Sequence, residues 1–320
     1  MRRFAAVLAA LLLAASGARA QAPPDRSVRL IVPFAVGGPT DVLARIVAPL
    51  LSEQLRQPVI VENKAGATGS IGAELVARAP ADGGTILLGT SSIMAASPAL
   101  QSRLPFDPVR DFAPVSLIAT IESVLVVHPS VPAGSVREFV AHAKANPGKL
   151  AYASSGIGST YHLSAELFRT LTGVELTHVP YKGAAPAAQD LLAGHVQVMF
   201  DNLSSAVPNI RAGKVRALGI ASLQRHAELR DVPTIAEQGV ADYQSNLWIG
   251  LFLPARTPAA VVERYQAEIA RILASPEVRD RIARLGMEPG SSTPQQLESL
   301  LRTDTAKWAK VVRDAGIRAE

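Results

Sequence analysis

The chain has 320 residues and no cysteine, and its 32 lysines and arginines against 27 aspartates and glutamates give a formal net charge of +5. Disulfides and cysteine nucleophiles are therefore excluded. The sequence also has no cluster of basic residues interleaved with aromatic ones, so a nucleic-acid partner is not favoured. Apolar residues make up 48% of the chain, which suffices for one large domain or two ordinary ones without metals or disulfides.

The first twenty residues have the pattern of a secretory signal. Residues 1–3, with Arg2 and Arg3, form a basic n-region, residues 4–15 form an apolar run, and Ala18-Arg19-Ala20 is a small-x-small cleavage site. The apolar run is shorter than the roughly 20 residues that span a bilayer. We therefore expect cleavage after Ala20 and a mature protein free in the bacterial periplasm. Without this signal, 29 basic residues remain against 27 acidic ones, a net charge of about +2.

A strand, a glycine turn and a helix start follow one another near the mature N-terminus. The apolar run 28–32 predicts a strand, which Pro33 ends because proline cannot donate a ladder hydrogen bond. Gly37 and Gly38 allow a positive φ and a close approach of the backbone to a ligand. The apolar spacing of residues 39–55 then predicts an amphipathic helix.

The start of this helix is a candidate anion site. Pro39 suits the first helical position, and Thr40 or Asp41 can cap free N–H groups. Those N–H groups and the positive end of the helix dipole would face outward at the carboxyl end of the strand, which suits a carboxylate. Ordinary strand-to-helix turns also need glycine and a cap, so the motif alone leaves a purely structural role open.

A second glycine-rich segment, residues 66–72, has the spacing G-x-x-G-x-x-G. A dinucleotide site needs G-x-G-x-x-G and a well-placed acidic residue, and this segment has the wrong spacing. Close packing of a helix on a sheet is the better interpretation. We therefore expect no cofactor.

The strand–glycine–helix pattern occurs again in the middle of the chain. Residues 150–153 predict a strand, and residues 154–162 predict a turn that leads into a helix through Phe168. Two helix N-termini could therefore approach the same anion from opposite sides.

Polar residues follow three further predicted strands. Ser91 comes after the strand 85–89, Tyr181 after a strand that ends at Pro180, and Asp201 after the strand 196–200. Ligands of open α/β sheets gather at the carboxyl ends of strands, so these residues are candidates for the wall of a cleft. Helix capping is the alternative role for Ser91 and Asp201.

Enzyme signatures are absent from the sequence. It has no G-x-S-x-G elbow and no H-E-x-x-H, and its six histidines lack the spacing of metal ligands. His162 and Glu166 share a helix face at i,i+4, which favours a structural contact over half of an acid–base site. We therefore expect neither a catalytic residue nor a metal.

Four motifs in order resemble those of one protein family. They are Pro33-Phe34 with Gly37-Gly38-x-x-Asp41-x-x-x-Arg45, then Val61-Glu62-Asn63-Lys64-x-Gly66-Ala67-x-Gly69, Ala81-Asp82-Gly83 and Val179-Pro180-Tyr181-Lys182-Gly183. This series resembles the Bug or TctC-like family, the periplasmic solute-binding proteins of tripartite tricarboxylate transporters. The resemblance runs from about Arg26 to the C-terminus.

The resemblance implies a type II periplasmic binding protein with two α/β lobes around a ligand cleft. The first lobe would comprise residues 21–122 and 248–320, the second residues 123–247. Main-chain amides of the two glycine turns would hold a small carboxylate, a carboxylic acid or an acidic amino acid. The implied ligand-binding residues are Phe34, Gly37, Gly38, Asp41, Ser91, Ser155, Gly156, Gly158, Ser159, His162, Tyr181 and Asp201.

The resemblance also implies how the protein works. A monomer would close around its ligand by hinge motion and deliver it to the membrane permease subunits of a tripartite tricarboxylate transporter. Two alternatives stay open at this point: a sensor that presents its ligand to a membrane signalling partner, and a periplasmic enzyme that acts on a carboxylic acid.

Overall fold

Two separate β-sheets, each flanked by helices, form the architecture of the chain. A computed structural model describes residues 27–101 and 103–317. The predicted signal, residues 1–20, and its cleavage site lie outside the described residues. In the described ranges no helix is both long and apolar enough to cross a membrane.

Within each sheet, the strands lie side by side in an order that differs from their order along the chain. The first sheet has the strand order β11-β4-β10-β3-β1-β2, and the second has the order β7-β6-β8-β5-β9. The strands are β1 (Val28–Val32), β2 (Val59–Asn63), β3 (Thr85–Thr90), β4 (Phe112–Ile121), β5 (Ser123–Val127), β6 (Ala151–Ser154), β7 (Thr177–Pro180), β8 (Val198–Asn202), β9 (Arg216–Ile220), β10 (Leu247–Pro254) and β11 (Glu288–Pro289).

The helices mostly connect parallel strands or cover the sheets. A π-helical turn, Ser92–Ala96, follows β3 after the single residue Ser91. The α-helices are α1 (Pro39–Leu55), α2 (Ser70–Ala77), α3 (Ser97–Leu100), α4 (Val136–Ala145), α5 (Thr160–Thr172), α6 (Ala184–Ala193), α7 (Leu203–Arg211), α8 (Ala259–Ala274), α9 (Pro276–Ala283) and α10 (Pro294–Asp314).

Strand direction places the predicted site residues at sheet edges. β1 pairs in parallel with both β2 and β3, so the segments after all three strands leave the first sheet on one side. β6 pairs in parallel with β7 and β8, and the second sheet therefore has the same property. The turns after β1 and β6 and the segments after β3 and β7 contain residues that the sequence predicts to bind a ligand. Asp201 lies inside β8 and not after it, because this strand covers residues 198–202 and not the predicted 196–200.

The chain crosses twice between the two sheets, and the crossings lie side by side. β4 and β10 are antiparallel neighbours, and Ile121 at the first crossing pairs with Leu247 at the second. Trp248, which is 2% exposed, donates a 2.7 Å hydrogen bond from Nε1 to Asp304 Oδ2 on α10. A buried indole N–H needs such an acceptor. The second crossing is thus fastened to the C-terminal helix.

The glycine-rich segment 66–72 packs closely against the sheet. A Cβ on Gly72 would lie 2.9 Å from Pro33 Cβ, and one on Gly69 would lie 2.3 Å from Ile93 Cδ1. Both distances are too short for real atoms, so close packing of this segment explains its glycines.

Candidate ligand-binding site

Residues 33–38 connect β1 to α1 and are called the first glycine turn. Gly37 has a φ of +84°, which glycine adopts readily, but Gly38 has a φ of −72°. The positive φ that the sequence allows at both glycines therefore occurs only at Gly37, because Gly38 is the extended residue that precedes the helix. Gly38 has no side chain that could cap the helix, so the first free N–H groups of α1 are available to another acceptor.

Asp41 holds the first glycine turn in shape. Its Oδ2 accepts hydrogen bonds from the Gly37 amide at 2.8 Å and from Arg45 Nε at 3.0 Å, and its Oδ1 accepts one from Asn63 Nδ2 at 2.9 Å. Asn63 also donates to the Phe34 carbonyl oxygen at 3.1 Å. The carboxylate is 1% exposed. Its oxygens are occupied by the protein, which favours a bracing role over a direct ligand contact.

These donors stabilise the charged form of Asp41. The hydrogen bond from Arg45 is the largest influence, and with the Gly37 and Asn63 amides it outweighs burial and lowers the pKa of Asp41 to about 2. The ordinary aspartate value is near 3.9. The contribution of Asp41 to stability is therefore complete above about pH 4 and is lost as the pH falls towards 2.

Replacing Asp41 with Asn is expected to lower the free energy of unfolding by about 1–2 kcal/mol at pH 7, since half of Arg45 is exposed and solvent weakens the pair. Urea unfolding of parent and variant, repeated from pH 7 down to pH 3, measures the effect. The difference should shrink below about pH 4, because the unfolded parent, whose carboxylate has its ordinary pKa, then begins to bind a proton that the folded protein binds only near pH 2.

Asp280→Asn, an exposed position on α9, is the control for this prediction. A difference between parent and Asp41→Asn that stays constant from pH 7 to pH 3 would contradict the bracing role of the charge.

Residues 155–159 connect β6 to α5 and are called the second glycine turn. Gly156 and Gly158 have φ values of +132° and +73°. Ser159 is the N-cap of α5, and its Oγ accepts from the His162 amide at 3.3 Å. The Gly158 amide donates to His162 Nδ1 at 3.0 Å. The turn is therefore held by side chains of its own helix.

A cluster of aromatic and charged side chains lies behind the second glycine turn. The rings of His162 and His178 stack with centroids 4.0 Å apart, and Tyr152 stacks on His178 at 4.7 Å. Glu166 accepts from Tyr152 Oη at 2.5 Å and from Arg169 Nη1 at 2.7 Å. Because His162 Nε2 is 3.9 Å from Glu166 Oε1, the i,i+4 pair predicted from the sequence is a structural contact.

The candidate wall residues have partners inside the protein. Ser91 is 2% exposed, and its Oγ accepts from the Trp248 amide at 3.3 Å. Asp201 accepts a 2.6 Å hydrogen bond from Ser205 Oγ, and burial raises its pKa. Tyr181 Oη donates to Asp190 Oδ2 at 2.6 Å, while its carbonyl oxygen borders Gly156. The part that these three side chains play in ligand binding stays a prediction.

Two glycines lie where the halves of the chain approach each other. A Cβ on Gly158 would be 2.9 Å from Leu100 Cδ1, so the second glycine turn faces α3 beside the first sheet. A Cβ on Gly286, which follows α9, would be 1.9 Å from Ser204 Cβ at the start of α7. Hydrogen is the largest substituent that fits at Gly286 in this arrangement.

A cavity of about 890 Å³ lies elsewhere, at the amino-terminal ends of β1 and β3, and its lining includes Arg29, Asp82 and Arg264. It is at the end of the first sheet opposite the first glycine turn, so we do not assign it to the predicted ligand. In the described ranges no group of three histidine, aspartate or glutamate side chains is placed to hold a metal ion.

Sequence reasoning left the bracing residues out of the site. Arg45 and Asn63 occur in the family motifs, and Asn63 ends a strand next to β1, but neither was assigned a role. His178 and Tyr152 lie on β7 and β6, and no local sequence pattern connects them with His162. The register of β6 and β7, in which Tyr152 pairs with His178, brings these residues together. This register cannot be read from the sequence.

Comparison with known proteins agrees with the motifs. Residues 43–317 match the family model described as tripartite tricarboxylate transporter family receptor. BugT from Bordetella pertussis (strain Tohama I) is 37% identical over 296 residues, which cover 92% of this chain and 91% of BugT.

Solved structures with a similar fold include two with bound carboxylates. Rpa4515 of R. palustris with adipate has 40% sequence identity and a TM-score of 0.76, with 92% of this chain and 99% of that chain covered. MatC (Rpa3494) from Rhodopseudomonas palustris with bound malate has 36% identity and a TM-score of 0.73, with 90% and 99% covered. These similarities confirm the predicted fold class, a two-lobed α/β solute-binding protein.

Proposed function

Because the chain belongs to the family of tripartite tricarboxylate transporter receptors, as its motifs predict, we propose that it is a receptor that captures a small carboxylate between two lobes. The pair of glycine turns carries this proposal, since each follows a parallel strand and precedes a helix. Two helix N-termini offer amides and positive dipole ends to one anion. The adipate on Rpa4515 and the malate on MatC support a carboxylic acid as that anion.

In this proposal the first glycine turn binds the carboxylate through the backbone. The helix α1 has 17 residues and begins without a side-chain cap, so the amides of Gly38, Thr40 and Asp41 are suited to an outside acceptor. Pro39, the first helical residue, has no N–H. The Gly37 amide already donates to Asp41 and contributes by shaping the turn. Phe34 is half-buried beside the turn and would contact the body of the ligand.

The second glycine turn closes on the ligand from the other side. Ser155 and Ser159 bracket the glycines, and Ser155, Gly156, Gly158 and Ser159 are all only partly buried, so a ligand can reach them. His162 is 5% exposed and contacts the Gly158 amide, which supports an indirect role for its ring.

The lobes of this receptor comprise residues 21–122 and 248–320 on one side and residues 123–247 on the other. They hinge at the two adjacent crossings, near residues 121–125 and 246–249. Two crossings that lie side by side suit a closure in which each lobe moves as a unit. Gly158 against Leu100 and Gly286 against Ser204 would be contacts between the lobes.

We assign the mature monomer to the periplasm, where it delivers ligand to the permease subunits of a tripartite tricarboxylate transporter. Family membership supports the transporter partner over a membrane signalling partner. A periplasmic enzyme is the weaker alternative, because the buried titratable groups near the turns, such as Glu166 and Asp201, are engaged by protein donors.

Adipate is expected to raise the melting temperature of the mature protein, residues 21–320, in a concentration-dependent way. At a ligand concentration of 100 times Kd the stabilisation is about 2.7 kcal/mol. Differential scanning fluorimetry with adipate and malate measures it, and mass spectrometry should recover the acid unchanged. Adipamide, which has the same carbon chain without carboxylates, is the control and should cause no shift.

Two outcomes would overturn this proposal. If no mono-, di- or tricarboxylate and no acidic amino acid in a panel shifts the melting temperature, the proposal of a carboxylate ligand is wrong. Recovery of an altered acid, in an amount proportional to protein and time, would establish an enzyme instead.

A further inference from the structure

The second glycine turn is supported by a pair of stacked histidines. The imidazoles of His162 on α5 and His178 on β7 are nearly parallel, with an interplanar angle of 6° and centroids 4.0 Å apart. His162 is 5% exposed and His178 is half-buried. Tyr152 on β6 also stacks on His178, with centroids 4.7 Å apart, and its ring centroid is 6.3 Å from that of His162. The three rings come from three elements and form a cluster behind the turn.

Each histidine of the pair supports one glycine of the turn. His162 Nδ1 accepts the Gly158 amide at 3.0 Å. His178 Nε2 lies 2.7 Å from Ser154 Oγ, and Ser154 Oγ accepts the Gly156 amide at 3.2 Å. Both glycines have a positive φ, so the path of the turn depends on these hydrogen bonds and on the absence of Cβ atoms.

We propose that His162 and His178 are positioning residues that hold the second glycine turn in its ligand-binding shape, and that this support requires the neutral form of His162. The proposal deepens the proposed function, because it explains what maintains one half of the carboxylate site. Neither ring needs to touch the ligand.

The geometry requires the neutral form of His162. A nitrogen that accepts the Gly158 N–H cannot carry a proton, so neutral His162 has its proton on Nε2. His162 also lies in the first turn of α5, where the helix dipole disfavours a positive charge. Stacking at 4.0 Å places the second imidazole where two positive charges would repel each other.

The charged groups around the pair do not reverse this preference. Glu166 and Arg169 face it from α5, and Tyr152 faces it from β6. Glu166 Oε1 is 3.9 Å from His162 Nε2. The Glu166 carboxylate is paired with Arg169 and also accepts a hydrogen bond from Tyr152. Burial, the largest influence, lowers the pKa of His162, and burial together with the charge of His162 lowers the pKa of His178 to about 4.

Protonation of His162 would change the turn at a defined atom. The new proton on Nδ1 would replace the acceptor and face the Gly158 N–H, so the hydrogen bond becomes a repulsion. Since folding lowers the pKa below its ordinary value near 6.5, the turn is intact at pH 7 and is released as the pH falls well below 6.5. Ligand affinity should fall in the same direction.

The test compares His162→Asn with His162→Leu. Asparagine Oδ1 takes nearly the place of Nδ1 and accepts a hydrogen bond without titrating, whereas leucine has the size of the ring and no acceptor. Calorimetric titration with adipate from pH 7.5 to pH 5 should show a loss of affinity in the parent of about tenfold relative to His162→Asn. His162→Leu should be weaker than both at pH 7.5 and should not show this relative loss. Protonation of adipate itself affects the parent and His162→Asn equally, so it cancels in the ratio of their affinities.

A second measurement needs no ligand. Nitrogen-15 spectra of the imidazoles at pH 7.5 should show His162 protonated at Nε2 and unprotonated at Nδ1, and the Gly158 amide should shift when His162 gains a proton. Protonation at Nδ1 at pH 7.5, or parent and His162→Asn affinities with the same pH dependence, would overturn the inference. If no carboxylate binds at all, the proposed function fails while these spectra still decide the role of His162.

Discussion

Gly38→Val is expected to abolish carboxylate binding while the protein stays folded. Gly38 has an extended backbone with φ −72° and ψ 165°, which valine adopts without strain. Its Cβ would meet the Ala35 carbonyl oxygen at 3.6 Å, an ordinary contact, and no other heavy atom of the described residues within 4 Å. The free protein therefore tolerates the change. A carboxylate on the Gly38 amide would collide with the valine methyl groups.

The expected loss of affinity is at least about 100-fold, equivalent to about 2.7 kcal/mol. Calorimetric titration with adipate measures it, after circular dichroism and melting show the fold of the parent. Gly134→Val is the matched control, because its Cβ would also have an ordinary contact, 3.5 Å from Glu138 Oε2, far along the chain from either turn. A folded Gly38→Val that binds adipate like the parent would place the ligand elsewhere.

Gly286→Ala is expected to hold the two halves of the protein apart. The new Cβ would lie 1.9 Å from Ser204 Cβ and 2.5 Å from Ser204 Oγ, distances that no side-chain rotation at Ser204 can relieve. We expect a loss of adipate affinity of roughly 10- to 100-fold, or about 1.4–2.7 kcal/mol. Small-angle scattering with saturating adipate should give a larger radius of gyration than in the parent.

Two further variants separate this clash from ordinary backbone strain. Gly213→Ala has a similar φ of +67° and no atom of the described residues within 4 Å of its Cβ, so it reports the strain of roughly 1 kcal/mol alone. Ser204→Gly combined with Gly286→Ala removes the clashing Cβ and Oγ and should restore most of the affinity. If the double variant binds no better than Gly286→Ala, this contact does not control closure.

The elements near the site are predictable from short-range patterns. The apolar run 28–32 forms the buried β1, and Gly37, Gly38 and Pro39 mark where the strand ends and α1 begins. The same reasoning locates β6 and α5. These predictions succeed because backbone freedom at glycine and the fixed φ of proline are local properties. The order of family motifs then gives the fold class.

The bracing contacts are not predictable in this way. Asn63 reaches Asp41 because Val32 pairs with Asn63 in a parallel register, and His178 reaches His162 because β7 lies beside β6. Register depends on packing across the sheet, and a shift of one residue would turn Asn63 to the other face. The sign of φ at Gly38 is a similar case, since a glycine before a helix fits an extended or a left-handed conformation equally well.

The contact between the second crossing and α10 involves both tryptophans and therefore bears on the fluorescence of the protein. Trp248 and Trp308 are the two tryptophans of the chain, and they are 2% and 3% exposed. Lys307 Nζ lies 4.5 Å from the Trp308 ring centroid, bonds to Asp304, and donates to the Gln244 carbonyl oxygen at 3.1 Å on the far side of the crossing. Any movement of Gln244 therefore displaces a positive charge above one indole, while the other shares the Asp304 carboxylate. We therefore expect the intrinsic tryptophan fluorescence of the unlabelled protein to change when the proposed hinge at the crossings opens and closes.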